Sequence, residues 1–90
     1  MNVADAWRVQ VTRTFERDFG KLDSSVQGRI GAYLVDVSRL PDPRLRGKAL
    51  TGTRRGHWRY RVGDYRIIVT LDDGALVILA LAVAKRSEAY

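Results

Sequence analysis

The sequence predicts an α+β domain of order β-α-α-β-β-β, with two N-terminal helices packed on one face of a mainly antiparallel four-stranded sheet. Apolar residues shift from a period of two to a spacing of three to four shortly after the N-terminus, and Pro41-Asp42-Pro43 closes the helical region. The second half is rich in β-branched and aromatic residues, broken by turn-forming glycines and aspartates. With 90 residues and no linker, repeat or low-complexity stretch, residues 1–90 are expected to form a single domain around one small core.

In the first element Trp7, Val9 and Val11 alternate with Arg8, Gln10 and Thr12, the pattern of a half-buried strand. From Thr14, the expected N-cap, Phe15, Phe19 and Leu22 recur at helical spacing, and Gly20 weakens the far end of this short helix. Ser24-Ser25-Val26-Gln27 fits a capping box, after which Val26, Ile30, Tyr33, Leu34 and Val37 form one apolar stripe. Gly28 and Gly31 cost that helix about 1 kcal/mol each relative to alanine, which close approach to the first helix would offset. The prolines end it, since neither has an amide hydrogen and each drives its predecessor to extended geometry. A basic, glycine-containing loop runs to Gly56, and strands are predicted over residues 58–62, 65–71 and 75–84. Gly63-Asp64 suits a two-residue type II′ turn; Asp72-Asp73-Gly74 fits either a two-residue Asp-Gly turn or a three-residue loop closed by a glycine bulge.

Sixteen lysines and arginines against ten acids give a formal charge of +6, so nucleic acid or an acidic protein is the natural partner. The absence of cysteine excludes disulfides, thiolate metal sites and cysteine nucleophiles, and agrees with a reducing, cytoplasmic setting. The first residues lack the basic-then-apolar order of a signal peptide, and the longest apolar run, residues 75–84, is about half a membrane span, so no membrane partner is expected. No compact cluster of His, Asp and Glu suggests a metal, and no cofactor is expected.

The first turn sets Arg61 opposite Arg66, with Arg59 and His57 on the same face by parity. Like charges so placed cost up to about 1 kcal/mol relative to a neutral pair, and an anionic ligand would offset that cost. A three-residue second turn, the preferred one, pairs Arg66 with Ala80. It lines the basic face with Ala80, Ala82 and Ala84 and points Val77, Leu79, Leu81 and Val83 at the helices. Arg86 then reaches Arg66 only if the chain curls back, whereas a two-residue turn would bring Lys85 to the basic face. Basic groups with Tyr60 or Tyr90 beside them suit single-stranded RNA, guanidinium forks meeting phosphate and rings meeting bases. RNA carries its own nucleophile in the 2′-hydroxyl, so a base, an acid and cationic stabilisers suffice.

The run Gly56-His57-Trp58-Arg59-Tyr60-Arg61-Val62-Gly63-Asp64-Tyr65-Arg66-Ile67-Ile68-Val69 resembles the core signature of the RelE/ParE toxin superfamily. Leu45-Arg46-Gly47-Lys48-Ala49-Leu50 resembles its L-x-G-x-x-L loop, and Val83-Ala84-Lys85-Arg86-Ser87-Glu88-Ala89-Tyr90 its basic-to-tyrosine ending. The resemblance implies a RelE-like fold and a metal-independent endoribonuclease, the mRNA interferase toxin of a type II toxin–antitoxin system. Such a toxin enters the ribosomal A site and cleaves mRNA by 2′-hydroxyl attack on the adjacent phosphate, which inhibits translation. Arg59 and Arg61 match basic positions that are lysines in the best-known RelE, Arg66 the transition-state stabiliser, Arg86 the arginine near the leaving group, and Tyr90 the C-terminal tyrosine. Because arginine is a poor proton acceptor at neutral pH, the general base passes to Tyr90, with His57 as the other candidate. Lys48, His57 and Lys85 are expected as RNA contacts, and Trp7 and Trp58 as packing residues.

The same resemblance implies a cognate RelB-like antitoxin whose acidic segment folds onto the toxin, in a complex that binds operator DNA through the antitoxin. Two alternatives stand beside this: a ParE-like DNA gyrase poison without nuclease activity, and a non-catalytic basic RNA- or protein-binding module.

Overall fold

In the computed structural model, which describes residues 7–86, the chain runs β1 (Arg8–Val11), α1 (Arg13–Gly20), α2 (Ser24–Ser38), β2 (Lys48–Ala49), β3 (Trp58–Val62), β4 (Tyr65–Asp72) and β5 (Val77–Lys85). Short 3₁₀ turns occupy Pro43–Leu45 and Gly52–Arg54. The sheet has the order β1-β5-β4-β3-β2 and is antiparallel except where β1 lies parallel to β5. It therefore has five strands, not the expected four: β2 forms within the basic loop, and two residues are too few to show a period.

The core sits between the helices and one sheet face. Phe15, Ile30, Leu34 and Val37 from the helices meet Tyr60, Val62, Ile67, Val69, Ile78, Ala80 and Val83 from the strands, and each large apolar side chain so buried contributes about 1.5–3 kcal/mol. None of the described helices is long and apolar enough to cross a membrane.

Both helix caps differ from expectation. Thr12, not Thr14, caps α1: its hydroxyl accepts from the Phe15 amide at 3.1 Å and donates to the Leu81 carbonyl at 3.0 Å. The earlier threonine wins because it reaches a sheet carbonyl as well as the helix. Asp23 precedes α2 as N-cap, and the Gln27 side chain, released from the capping box, donates to the Phe19 carbonyl at 2.8 Å and ties the two helices together. Gly28 and Gly31 do not serve close packing, since a Cβ at either position would meet nothing within 4 Å.

Gly63, at φ +58°, turns β3 into β4 with Val62 opposite Tyr65 and Arg61 opposite Arg66, as the two-residue loop requires. The second turn is longer than either expected form. Asp72 pairs with Val77, the Asp72 carboxylate accepts from the Ala75 amide at 3.1 Å, and Leu76 rather than Gly74 takes the left-handed backbone at φ +55°. This changes the parity of β5, so that Leu79 lies opposite Thr70 and Ala80 enters the core opposite Val69. A bulge at Ile68/Val69, where Leu81 has no partner on β4, restores the parity and sets Ala82 opposite Ile68 and Ala84 opposite Arg66. Arg66 thus pairs with Ala84 and not Ala80, and Val77 and Leu79 lie on the face away from the core. The Leu81 carbonyl at the bulge receives the Thr12 hydroxyl.

Candidate nucleic-acid interface

Arg59 and Arg61 alternate with the buried Tyr60 and Val62, so they leave β3 on the face opposite the core. Arg66 joins them from β4 as the cross-strand neighbour of Arg61. On its other side stands Ala84, a small residue that leaves room beside the guanidinium. Arg86 follows two positions later, its amide donating to the Asp64 carbonyl at 2.6 Å. Asp64, Arg66, Lys85 and Arg86 line one recess of about 490 Å³. No curling back of the chain is needed: the bulged register brings Arg86 to Arg66 directly.

The electrostatics of this face are unbalanced. Among the described residues, salt bridges join Arg17 to Asp18 and Arg44 to Asp42 and Asp73, and none involves Arg59, Arg61, Arg66, Lys85 or Arg86. The Nε of Arg66 is buried and has no hydrogen-bond partner among the described residues. A buried N–H left without an acceptor costs about 1–3 kcal/mol, and Arg61 across the strand adds like-charge repulsion. A bound anion in the recess would relieve the repulsion.

Lys48 is drawn into the same arrangement by β2, which sets it opposite Arg59. Tyr33, Gly47, Lys48, Arg59 and Arg61 line a smaller cleft of about 180 Å³. His57 stands apart from it. It lies one residue before β3 and lines a different recess with Arg44, Ala49, Gly56, Trp58 and Leu71, its Nδ1 buried without a partner among the described residues. Tyr60 is not available to stack on a base: it is fully buried, and its hydroxyl donates to the Pro43 carbonyl at 2.8 Å. Burial, first of all, holds the pKa of that hydroxyl well above the ordinary tyrosine range. Tyr90 lies outside the described residues. Among the described residues the aromatic side chain that lines the smaller basic cleft is Tyr33, which the helical stripe had marked only as core. Among the described residues no three His, Asp or Glu side chains come together as metal ligands.

A second surface has the opposite character. Val9 and Val11 of the edge strand β1, Phe15 and Phe19 of α1, and Leu34 and Val35 of α2 line an apolar groove of about 480 Å³. Val11 and Val35 are exposed there, so the expected burial alternation of the first strand fails at Val11.

Residues 9–90 match the family described as the ParE toxin of type II toxin–antitoxin systems, parDE. The chain is 29% identical over 84 residues to Toxin RelE of Mycobacterium tuberculosis, a match covering 93% of this chain and 86% of that one. Its fold is similar to that in the crystal structure of the toxin–antitoxin complex RelBE2 from the same organism, with a TM-score of 0.83 and 28% identity over 92% of this chain and 94% of that one. It is also similar to the archaeal RelE–RelB complex from Pyrococcus horikoshii, with a TM-score of 0.74 and 26% identity over 93% of this chain and 99% of that one.

Proposed function

The chain belongs to the ParE toxin family, within the RelE/ParE superfamily, and is a RelE-like toxin of a type II toxin–antitoxin system; from that premise we propose that it is a ribosome-dependent endoribonuclease acting on mRNA in the cytoplasm. The observation that carries this reading is Arg66: it lines an open recess on the face away from the core, flanked by Arg61, Lys85 and Arg86, with no carboxylate pairing it among the described residues. In the reaction the RNA 2′-oxygen bonds to the adjacent phosphorus, its proton passes to a base, and the bond to the 5′-oxygen breaks with a proton supplied to that oxygen. Arg66 and Arg61 meet the charge that grows on the phosphoryl oxygens, and Arg86, beside them, is placed to serve the leaving oxygen. Tyr90 is the proposed base. Arg59, Lys48 and Lys85 hold the flanking phosphates.

The test is primer extension on a reporter mRNA in a purified translation system, with wild type and Arg66→Ala compared with and without ribosomes. Cuts that need ribosomes and vanish in the variant are expected. A folded wild type that never cuts would instead support the gyrase-poison reading, which the family match to ParE toxins favours, and a supercoiling assay would then decide it.

The two solved relatives are each complexes of a toxin with its antitoxin, and we assign this chain a partner of the same kind. The apolar groove beside the edge of β1, which pairs with no further strand among the described residues, is suited to the apolar side of such a segment, and the +6 charge to its acids. Val11→Asp with Val35→Asp is expected to release cleavage from antitoxin control without lowering it, read as cleavage at rising antitoxin concentration.

A further inference from the structure

The segment between α2 and β3 is pressed onto the sheet. The Trp58 indole N–H donates to the Arg46 carbonyl at 2.7 Å, and Arg44 grips Asp73 through two contacts of 3.0 and 2.8 Å. Gly47, at φ +86°, lies so close to β3 that a Cβ would collide with the Arg59 carbonyl oxygen and with Trp58 Nε1. Only glycine serves there. The result is that Lys48 is held opposite Arg59. β2 stops at that point, so among the described residues no strand pairs with this edge of β3 beyond Arg59, and the space left is the cleft lined by Tyr33, Gly47, Lys48, Arg59 and Arg61. The Tyr33 ring is fixed from two sides, by Tyr60 at 5.6 Å between centroids and by the Arg46 guanidinium 5.5 Å from its own. Burial raises the pKa of its hydroxyl more than Arg46 lowers it, so the group is a neutral donor at neutral pH.

We propose that this cleft is a nucleotide subsite next to the Arg66 recess, in which Lys48, Arg59 and Arg61 take a phosphodiester of single-stranded RNA and Tyr33 packs against its base, with Trp58 and Gly47 as positioning residues for Lys48. The proposal rests on the nuclease reading for its choice of ligand. Arg61 belongs to both places, with Arg66 across from it on β4 and Arg59 two positions along β3. Neighbouring strands are about 4.8 Å apart, so one RNA backbone can pass from the cleft to the recess across the sheet. An acidic peptide would use the cations but gain little from the ring, whereas every base has a face or edge to set against it.

The test is fluorescence anisotropy of the full chain with two labelled probes: a single-stranded 2′-O-methyl oligoribonucleotide, which lacks the nucleophile, and an abasic oligomer with the same number of phosphates. Lys48→Ala is expected to weaken both and to lower the salt slope by about one phosphate contact, while Lys21→Ala, on the turn after α1, leaves that slope unchanged. Tyr33→Leu is expected to weaken the base-bearing probe about fivefold or more and to spare the abasic one, with Tyr33→Phe near wild type. Trp58→Phe, which keeps the ring and loses the N–H, should weaken both probes in the wild-type background and add nothing to Lys48→Ala. Equal losses on both probes from Tyr33→Leu, an unchanged salt slope in Lys48→Ala, or additive losses from Trp58→Phe would overturn the proposal. So would a Tyr33→Leu variant that keeps both oligomers and loses only a third labelled probe, a polyglutamate peptide. Cleavage decides the nuclease reading separately: a folded wild type that never cuts sinks that reading, whereas wild-type cutting that is lost in Arg66→Ala, together with a base-blind Tyr33→Leu, sinks the subsite alone.

Discussion

Arg44 and Arg66 carry the same side chain into opposite surroundings. Arg44 meets Asp73 through both terminal nitrogens and Asp42 at 3.5 Å. The hydrogen bonds to Asp73 raise its pKa, and in return hold the Asp73 carboxyl below the ordinary range. Arg66 faces another arginine across the strand and, among the described residues, forms no salt bridge and keeps a buried Nε without an acceptor. A charge neutralised within the fold contributes to its shape. A charge that the fold gathers and leaves uncompensated is a cost in the free protein, and it becomes useful when an anion arrives.

The largest effect expected from this contrast is in Arg66→Ala. Cleavage should fall about 100- to 1,000-fold, as when a donor to a developing oxyanion is removed, with no loss of thermal stability because a like-charge pair disappears. Single-turnover cleavage beside a melting curve checks both halves, and a variant that melts early would show Arg66 to be structural after all. Thr12→Ala, far from the arginines, should do the reverse: about 1–2 kcal/mol of stability lost in urea titration, since one hydroxyl serves both the α1 cap and the Leu81 carbonyl, with cleavage unchanged. Gly28→Ala should stabilise by about 0.5–1 kcal/mol in the same titration, because the new methyl meets open space and the unfolded chain loses freedom.

The smallest effect belongs to Asp73→Asn. The carboxyl's lowered pKa means that its contribution is present above the unfolded value and lost as pH falls through the folded one. The variant should therefore be slightly less stable than wild type above about pH 4 and converge with it only as pH falls further, through the lowered folded value, in melting curves taken at several pH values. Its cleavage should stay within about twofold of wild type, as for most exposed pairs. Loss of cleavage in Asp73→Asn would erase the distinction between the two arginines.

The contrast also marks what could be read from residues alone. Placement of Arg59, Arg61 and Arg66 on one face was legible because Gly63-Asp64 leaves only one register for β3 and β4. The β4–β5 register was not legible: its left-handed residue is Leu76, against the preference that points to Gly74, and a bulge has no side-chain signature. Thr12 and Thr14 are equivalent as caps until the Leu81 carbonyl is brought to one of them by the parallel pairing of β1 with β5. Tyr33 follows the apolar stripe, which conceals that its ring also borders a charged cleft; only the two residues of β2 and the collision-close Gly47 place Lys48 and Arg59 there with it. His57, one residue before β3, lines a recess separate from that of Arg59 and Arg61, a separation that parity alone does not show.

The bulge at Ile68/Val69 bears on how this chain can change in length. Leu81 is the one residue between positions 77 and 85 with no partner on β4. Its deletion would straighten β5 while leaving Ile78 and Ala80 in the core and Ala82 and Ala84 beside the arginines. Deleting a neighbour such as Val83 would turn the following residues over, unless Leu81 moved into the ladder to replace it. A spare residue in mid-strand therefore lets the sheet absorb the loss of one codon near this point and still deliver Arg86 to Arg66.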